Sequence, residues 1–280
     1  LLMTQTRHIA FGGGFFMNSL FNGKIALDNN LNANDVYISY APDDSGNAIG
    51  AAIACHNIHE NTNKSLDRKS LAIPFQMGEH NLEEQSRQLV EIIKARDLNG
   101  FKIVKFDDIN QSAHAAAKDL ISGNVIGICS GSMEFGQRAL GNRSILACPR
   151  KQEMKNIINK KIKYRETFRP FAAISFEEEL DTYFDTNGQY SRYMERDVQV
   201  RENWKEKIPA VVHPDGSCRI QALWPEYSIL TSNVLAKYKS ITQSSVLINT
   251  SLNTNDKPIA CTVENALETF LNSGLDALYV

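Results

Sequence analysis

Ten basic side chains lie within one stretch of the sequence, which begins at Arg138 and ends at Arg169. Only Glu153 and Glu166 oppose them there, whereas the whole chain has a net charge of -2, so the positive charge is local. The ten residues are Arg138, Arg143, Arg150, Lys151, Lys155, Lys160, Lys161, Lys163, Arg165 and Arg169. Because guanidinium groups bind phosphoryl and carboxylate oxygens bidentately, the stretch predicts a pocket for anionic groups.

Two interpretations of this stretch compete. A polar helix face in contact with water accounts well for Lys151, Lys155 and Lys160. Four arginines stand instead beside glycines, turns or a proline, where no regular polar face is expected. The residues that we assign to the anion pocket are therefore Arg138, Arg143, Arg165 and Arg169.

The loop of residues 131–136 (GSMEFG) has the glycine spacing of a P-loop. Gln137 and Arg138 follow it, however, where a P-loop requires Lys and then Ser or Thr. A Walker-type nucleotide site is therefore rejected. The loop is expected to bring Glu134 and Arg138 to one place.

The string IKYRETFRPF carries Lys163, Arg165 and Arg169 at intervals of two and four residues. On a strand these three side chains would share one face, and Pro170 favours extended backbone at Arg169. A hydrogen bond to a charged group contributes about 1.5–3 kcal/mol. Four convergent cations would therefore hold a triphosphate firmly.

Two further segments offer polar side chains close to a turn or a strand. In HPDGSCRIQ, Arg219 and Gln221 face the same way, and in NTSLN the polar residues Asn249, Ser251 and Asn253 can contact a phosphate or a nucleobase. Ordinary turn chemistry by Asn, Asp and Ser explains each segment about as well.

Near the N-terminus, a strand, the glycines 12–14 and a helix follow one another. This order presents backbone N–H groups to a phosphate, although a tight turn explains three glycines about as well. Asp43 and Asp44 precede a helix rich in small residues, and their spacing alone favours N-capping over metal binding. His56 and His59 are predicted to lie at the surface.

Composition narrows the class of protein. An apolar share of 42% and a charged share of 22% are those of a soluble globular protein, and the net charge disfavours a general nucleic-acid binder. Five scattered cysteines without a CxxC motif argue for a reducing, cytoplasmic location.

The sequence shows no signal peptide. It also has no apolar run of the roughly 20 residues that span a bilayer, so no membrane partner is expected. Both ends look cut inside regular structure, which suggests a fragment.

Strands alternate with helices along the chain, which predicts an α/β fold with some antiparallel pairing. Residues 61–99 are predicted to be a polar connector with one amphipathic helix, Leu82–Ala95, and Asn22-Gly23 is predicted to be a turn. Strands are expected at residues 8–11, 35–40, 101–106, 125–130, 144–147, 171–176, near 198, 210–213, 219–223, 245–250 and 278–280. Other helices are expected at residues 15–20, 111–121, 151–162, 228–238 and 264–271.

Several strings together resemble one family. GSMEFGQRALGNRSILACPR, IKYRETFRPFA, PAVVHPDGSCRIQ and LINTSLNTNDKPIACTVENALETF are similar, in this order, to the C-terminal half of the NodU/CmcH-type carbamoyltransferases. These are O-carbamoylating enzymes of nodulation-factor and antibiotic biosynthesis. GGGFFMNSLFNGKI and SYAPDDSGNAIGAA resemble the last part of that family's N-terminal domain, so the resemblance covers nearly the whole chain.

The resemblance implies two domains. Residues 1–100 would be the final part of an actin-like (ASKHA) domain with a connector, and residues 101–280 a YrdC-like domain with a twisted mixed sheet. In the family, the YrdC-like domain makes carbamoyl-adenylate from carbamoyl phosphate and ATP. The actin-like domain, with Fe2+ or another divalent metal, transfers the carbamoyl group to a hydroxyl of a small-molecule acceptor. The resemblance thus implies an O-carbamoyltransferase fragment, and a homodimer is compatible with it.

The resemblance also implies roles for individual residues. Those of the catalytic group are Arg138, Arg143, Lys163 and Arg165. Those that would bind carbamoyl phosphate or ATP are Arg169, Arg219, Asn249, Ser251 and Asn253. Gly13, Gly14 and Asn18 would edge the nucleotide site of the other domain, and Asp44 would be a metal ligand instead of a cap.

The sequence departs from the family pattern at Gln137, Cys148 and Lys257, where Pro, Asp and Glu are usual. The family's histidine metal ligands have no match among the histidines of this chain. The chain is therefore expected to form carbamoyl-adenylate without completing the transfer. Two rival functions stay open: a nucleotide- or anion-binding module without turnover, and a YrdC-like tRNA-modification domain. The second is disfavoured because few aromatic residues are interleaved with the basic cluster.

Overall fold

The computed structural model describes residues 8–27, 35–59, 73–78, 81–96, 98 and 100–280. The strands are His8–Phe11 (β1), Asp35–Ile38 (β2), Phe75–Met77 (β3), Ile126–Cys129 (β4), Met133–Glu134 (β5), Arg143–Ala147 (β6), Ala172–Phe176 (β7), Phe184–Asp185 (β8), Asp197–Val200 (β9), Ser217–Leu223 (β10), Leu247–Ser251 (β11) and Ala277–Tyr279 (β12). The helices are Ser19–Ala26 (α1), Ser45–His59 (α2), Leu82–Ala95 (α3), Ile109–Ser122 (α4), Glu153–Lys161 (α5), Leu180–Tyr183 (α6), Glu202–Lys205 (α7), Ile229–Thr242 (α8) and Val263–Leu271 (α9).

One mixed sheet of eight strands organises the C-terminal part of the chain, in the order β12-β4-β6-β11-β7-β10-β9-β8. The β7–β10 and β12–β4 pairs are parallel, and the other neighbours in this sheet are antiparallel. The predicted α/β class with a mixed sheet is therefore confirmed.

Helices cover both faces of this sheet, so its central strands read as continuous apolar runs. Ile126 and Ile128 belong to a core with α4 and α8, whereas Cys129 and Ile145 belong to a second core with α5 and α9. This division follows the two-residue period of a strand. The position of a residue within its strand thus decides which of the two cores its side chain belongs to.

Helix α3 begins and ends where the sequence predicts, and it packs against the C-terminal part of the chain. The amide of Gln85, which is 1% exposed, donates to Gly131 O and accepts from Gly131 N, both at 2.9 Å. Arg96, which follows the helix, forms an ion pair with Glu264 of α9. Elsewhere in the predicted connector the structure describes residues 73–78, which include β3, whereas residues 61–72, 79, 80, 97 and 99 lie outside the described residues. The domain boundary at residue 100 stays a prediction.

Helix α1 corrects the predicted turn at Asn22-Gly23, because both residues lie inside the helix. The Asn22 amide is fully buried and donates to Phe16 O at 2.7 Å and to Glu195 O at 2.8 Å. Gly23 lies so close to the backbone of Asp197 that a Cβ there would overlap with its carbonyl oxygen. The pair that resembles a turn signal instead lets α1 approach β9 closely.

Two predictions of strands are wrong. Residues 101–106 form no strand, although Phe101, Ile103 and Val104 are each about half exposed beside the edge of the sheet. Residues 210–213 hold the end of a 3-10 turn, Pro209–Val211. Residues 163–169, where a strand would have placed three cations on one face, form a loop. An apolar pattern supplies side chains for a sheet, but it does not supply the partner strand that must accept the backbone hydrogen bonds.

Helix α2 is rich in small apolar residues, yet none of its residues is buried. Ile58 is 78% exposed, and His56 and His59 are exposed as predicted. Among the helices of the described part of the chain, none has the length and apolar character needed to cross a membrane.

Candidate anion-binding site

Glu134 organises the loop that carries Arg138. Its carboxylate is 1% exposed, and Oε1 accepts the backbone N–H groups of Leu140 (2.7 Å), Asn142 (2.8 Å) and Arg143 (3.2 Å). Burial raises the pKa of Glu134, while these N–H groups and the Arg143 charge oppose the rise. The loop therefore folds around one buried carboxyl group.

Arg143 braces the same loop from inside. Its side chain is 1% exposed, and it donates to the carbonyl oxygens of Cys261 (3.1 Å), Gly131 (3.0 Å), Asn142 (3.0 Å) and Ser130 (3.3 Å). These contacts hold the loop against the segment before α9. The structure thus places Arg143 among carbonyl groups, and its catalytic role stays a prediction.

Arg138 extends from the loop towards the N-terminal part of the chain. Its Nη2 donates to Met17 O at 3.0 Å. Burial, and then the neighbouring charge of Arg219, lower the pKa of Arg138 to about 9, while Asp197 acts in the opposite direction. Arg138 therefore lies beside a second cation that is far from it in sequence.

The turn after α5 decides where the next cations point. Lys163 N donates to Ile158 O at 2.9 Å and Arg165 N donates to Asn159 O at 3.0 Å. Between them Tyr164 has φ 46, a left-handed conformation that is uncommon for a residue with a side chain. Lys163 is buried and Tyr164 is 58% exposed as a result, so the three cations do not share the face of a strand.

The ammonium group of Lys163 is enclosed by oxygen atoms. Nζ lies 2.8 Å from Asn253 Oδ1, 3.0 Å from Asn253 O and 3.1 Å from Ser251 Oγ, and it also donates to Ser251 O. The side chain is 3% exposed, and burial followed by the charge of Arg165 lowers its pKa to about 7. All of the oxygens it contacts are neutral, so no carboxylate of the described residues is paired with this charge.

Arg165 connects Lys163 to the remaining cations. Its Nε donates to Asn159 Oδ1 at 2.7 Å, and its guanidinium group lies 4.8 Å from the ring centre of Phe171. Burial, and then the charges of Arg169 and Arg219, lower its pKa to about 10. Arg169 itself is exposed at the rim.

Arg219 lies on β10, between Ala172 of β7 and Asp197 of β9. Burial lowers its pKa, although the carboxylate of Asp197 opposes this shift. Its Nε is buried and has no hydrogen-bond partner among the described residues. A buried guanidinium with an unused donor is suited to receive an anionic ligand.

The structure thus brings five of the predicted cations together. The charge of Arg219 lowers the pKa of both Arg138 and Arg165, the charge of Arg169 also lowers that of Arg165, and the charge of Arg165 lowers that of Lys163. They repel one another, and an anion placed between them would relieve this repulsion. Fixed cations of this kind stabilise charge that develops on phosphoryl groups.

Asn249 belongs to a buried polar network beside the cations. It is 0% exposed, and its Nδ2 donates to Gln221 Oε1 at 2.6 Å and to Ala139 O at 3.2 Å. Gln221 in turn donates to Leu140 O at 2.6 Å. The Oδ1 atom of Asn249 has no partner in the described part of the chain, so its predicted contact with a ligand stays a prediction.

Two further side chains at the site had no sequence signal. Asp197 Oδ2 lies 3.2 Å from His213 Nδ1, with side chains that are 6% and 10% exposed respectively. The HPDGSCRIQ segment drew attention to Arg219 and Gln221 alone, and nothing in the sequence ties Asp197 to that arginine. The antiparallel pairing of β9 with β10 brings them together.

The N-terminal glycines lie at a separate open cavity of about 500 Å³. Gly12 and Gly13 line it together with Tyr37, Tyr40 and Asp43. A Cβ on either glycine would have nothing within 4 Å, which leaves room for a ligand to approach the backbone. This arrangement is compatible with the predicted nucleotide edge.

Gly14 and Asn18 continue this segment. A Cβ on Gly14 would meet only Asp43, at 4.0 Å. The Asn18 side chain accepts the N–H of Phe21 at 3.1 Å and so caps α1. Their predicted contact with a nucleotide stays a prediction.

The predicted metal ligand Asp44 is exposed, and its backbone oxygen accepts the N–H of Asn47 at 3.1 Å. The described residues include no group of three or more His, Cys, Asp or Glu side chains that could hold a metal ion. The part of the chain that the structure describes therefore supplies no complete set of ligands for a divalent metal, and the role of Asp44 as a metal ligand stays a prediction.

Residues 117–280 match the family model described as Carbamoyltransferase C-terminus. Nodulation protein NolO of Bradyrhizobium diazoefficiens is 34% identical over 283 aligned residues, which cover 99% of this chain and 49% of NolO. Nodulation protein U of Rhizobium tropici is 32% identical over 247 residues, which cover 88% of this chain and 38% of that protein. The chain spans about half the length, or less, of these curated relatives.

Two solved structures are distantly similar. Sua5 of P. abyssi in complex with L-threonine has a TM-score of 0.45 at 10% identity, over 63% of this chain and 47% of Sua5. Full-length HypF in its phosphate- and nucleotide-bound form has a TM-score of 0.40 at 16% identity, over 61% of this chain and 20% of HypF. Similarity at this level gives no further detail of the site.

Proposed function

Because this chain belongs to the carbamoyltransferase family whose C-terminal model it matches, we propose that it activates a carbamoyl group with ATP. Its substrates are carbamoyl phosphate and ATP, and its product is carbamoyl-adenylate. In the full-length protein the carbamoyl group then passes to a hydroxyl group of a small-molecule acceptor. The observation that carries the proposal is the group of cations around Arg219, whose charge lowers the pKa of both Arg138 and Arg165.

The reaction has two steps that balance. Water releases inorganic phosphate from carbamoyl phosphate and leaves carbamate. A carbamate oxygen then bonds to the α-phosphorus of ATP while the bond from that phosphorus to the bridging oxygen breaks, and pyrophosphate leaves with the electron pair. Both steps gather anionic groups in one place, so they need cations that are already in position.

The residues of the site suit different parts of this chemistry. Arg138 and Arg219 approach each other from the loop after β5 and from β10, and they bind phosphoryl oxygens from two sides. Lys163, with a pKa of about 7, lies in a cage of neutral oxygens. An arriving phosphoryl group favours its charged form, and Ser251 Oγ beside it can turn to donate to the same ligand.

Exchange of labelled pyrophosphate into ATP tests the proposal. The chain, and the full-length protein, are incubated with ATP, labelled pyrophosphate and carbamoyl phosphate. We expect label in ATP only when carbamoyl phosphate is present, since exchange requires reversible formation of carbamoyl-adenylate. ATP binding without any exchange, in both proteins, would overturn the proposal in favour of a binding module without turnover.

A second measurement separates this activity from tRNA modification. The full-length protein is assayed for exchange with threonine and bicarbonate in place of carbamoyl phosphate. The proposed activity predicts no exchange under these conditions. Exchange that depends on threonine would contradict it.

A further inference from the structure

We propose that Asp197 is a positioning residue for Arg219, and that helix α1 holds Asp197 in place. This inference rests on the proposed function, since it concerns the same cation site. It adds a residue outside the cation group, and it makes a segment outside the matched residues 117–280 part of the site.

The strand pairing places the two side chains together. Asp197 of β9 lies directly opposite Arg219 of β10 in the antiparallel register, and directly opposed residues project on the same face of a sheet. The carboxylate of Asp197 opposes the effect of burial on Arg219. Arg219 therefore lies close to this carboxylate, and its own charge lowers the pKa of Arg138 and Arg165.

Other contacts fix the Asp197 carboxylate. Oδ2 lies 3.2 Å from His213 Nδ1, and the side chain of Ser19, in the first turn of α1, also forms a hydrogen bond with the carboxyl group. Oδ1 is buried and has no partner among the described residues. The orientation of the carboxylate thus depends on His213, in the turn that precedes β10, and on Ser19 of α1.

Helix α1 and the residues before it contact the site at two more points. The backbone of Gly23 is packed against the Asp197 carbonyl without room for a Cβ. Arg138 donates to Met17 O at 3.0 Å, immediately before the helix. The segment that comprises Met17 and α1 therefore supports two cations of the site. It contacts Arg138 directly, and it acts on Arg219 through Asp197.

The two roles that Asp197 can have predict opposite results. If it were only a nearby negative charge, its removal would make the site more positive and would strengthen binding of an anion. If it orients Arg219, its removal leaves the guanidinium free to leave the site, and binding weakens. Inorganic tripolyphosphate is a suitable probe because it carries the charge of ATP without the nucleoside.

Calorimetric binding of tripolyphosphate to this chain decides between them. We expect Asp197→Asn to weaken binding about tenfold, the scale of one charge-assisted hydrogen bond. Asp215→Asn is the matched control: Asp215 accepts hydrogen bonds from Ser217, and His213 helps to lower its pKa, but Asp215 is not among the groups that act on Arg219. Its affinity is expected to equal that of the wild type.

A double-mutant cycle tests whether Asp197 acts through Arg219. In the Arg219→Gln background, Asp197→Asn should cause no further loss of affinity. An additional loss as large as in the wild type, or stronger binding by the Asp197→Asn single variant, would overturn the inference.

Two helical glycines test the role of α1. Gly23→Ala adds a methyl group against the Asp197 carbonyl, whereas Gly50→Ala in α2 adds one with nothing within 4 Å. Both changes raise helix propensity equally, so only Gly23→Ala is expected to weaken tripolyphosphate binding. Equal affinity of the two variants would contradict the role of α1. If Gly23→Ala does not fold, Ser19→Ala replaces it, with the same expectation of weaker binding.

The tripolyphosphate affinities of Arg219→Gln and Asp197→Asn distinguish an error in the positioning role from an error in the proposed function. If Arg219→Gln leaves tripolyphosphate affinity unchanged, the cation site itself is wrong and both proposals are overturned. If Arg219→Gln weakens binding and Asp197→Asn strengthens it, only the positioning role is overturned.

Discussion

The ammonium nitrogen of Lys163 lies 2.8 Å from Oδ1 of Asn253, ninety residues further along the chain. The loop after α5 and the loop after β11 therefore meet at one buried charge. Ser251 adds two more oxygens, and the donor is enclosed before any ligand arrives. Burial without a carboxylate partner makes the protonation of this lysine sensitive to pH near neutrality.

Anion binding is expected to weaken as pH rises through 7. Burial, and then Arg165, lower the pKa of Lys163 to about 7, so its positive charge is lost above that pH. The tripolyphosphate affinity of the wild type should fall roughly tenfold between pH 7 and pH 8.5 relative to Lys163→Arg. Calorimetry at several pH values measures the ratio of the two affinities. The titration of tripolyphosphate itself affects both proteins equally, so it cancels in this ratio. Parallel pH curves for the two proteins would show that Lys163 is not the group involved.

The same lysine predicts how stability depends on pH. Its pKa is about 7 in the folded chain, against the ordinary lysine value of 10.5, so the unfolded chain binds more protons between these two values. The contribution of Lys163 to the free energy of unfolding should therefore rise with pH in that window. Urea unfolding of the wild type and of Lys163→Met, from pH 7 to pH 9, measures it. A constant difference between the two proteins across this range would contradict the prediction.

Arg138→Ala is expected to lower the rate of pyrophosphate exchange by roughly one hundredfold. This is the scale of one lost hydrogen bond to a charged ligand, about 1.5–3 kcal/mol. Arg150→Ala is the control from the same basic stretch, because Arg150 is exposed and donates to Thr242 O. Equal rates for the two variants would remove Arg138 from the site.

Glu134 is expected to matter as an acceptor of hydrogen bonds more than as a charge. Glu134→Ala leaves three buried N–H groups without their partner, and each costs about 1–3 kcal/mol. Glu134→Gln keeps Oε1 and removes the buried charge, so its free energy of unfolding should stay within about 1 kcal/mol of the wild type. Urea unfolding compares them, and equal losses would show that the charge is what matters.

Gly136→Ala is expected to destabilise the chain, because the added methyl group pushes the loop of Arg138 away from the backbone of Tyr40. Gly136 has φ +103, and a Cβ there would lie 2.7 Å from Tyr40 O. Gly188 also has a positive φ, +74, but open space around it, so Gly188→Ala measures the backbone strain alone. Gly136→Ala should lose about 1–3 kcal/mol more than this control in urea unfolding. Equal losses in the free energy of unfolding would show that the backbone at Tyr40 moves away from the added methyl group without destabilising the fold.

Local patterns predicted much of the fold. The amphipathic period of α3 lies within one segment, so the sequence specifies this helix without reference to the rest of the chain. Residues 101–106 and Asn22-Gly23 were predicted wrongly for the opposite reason. A strand depends on a partner, and a glycine that allows α1 to approach β9 cannot be told from a turn by its neighbours.

The candidate site divides in the same way. The amino-acid sequence by itself determined which residues carry positive charge, that they stand beside turns, and which family they resemble. Only the tertiary structure decided that Arg143 faces carbonyl groups, that Tyr164 turns Lys163 inward, and that Asp197 lies opposite Arg219. These facts depend on strand register and on a left-handed turn, which join residues that are distant along the chain.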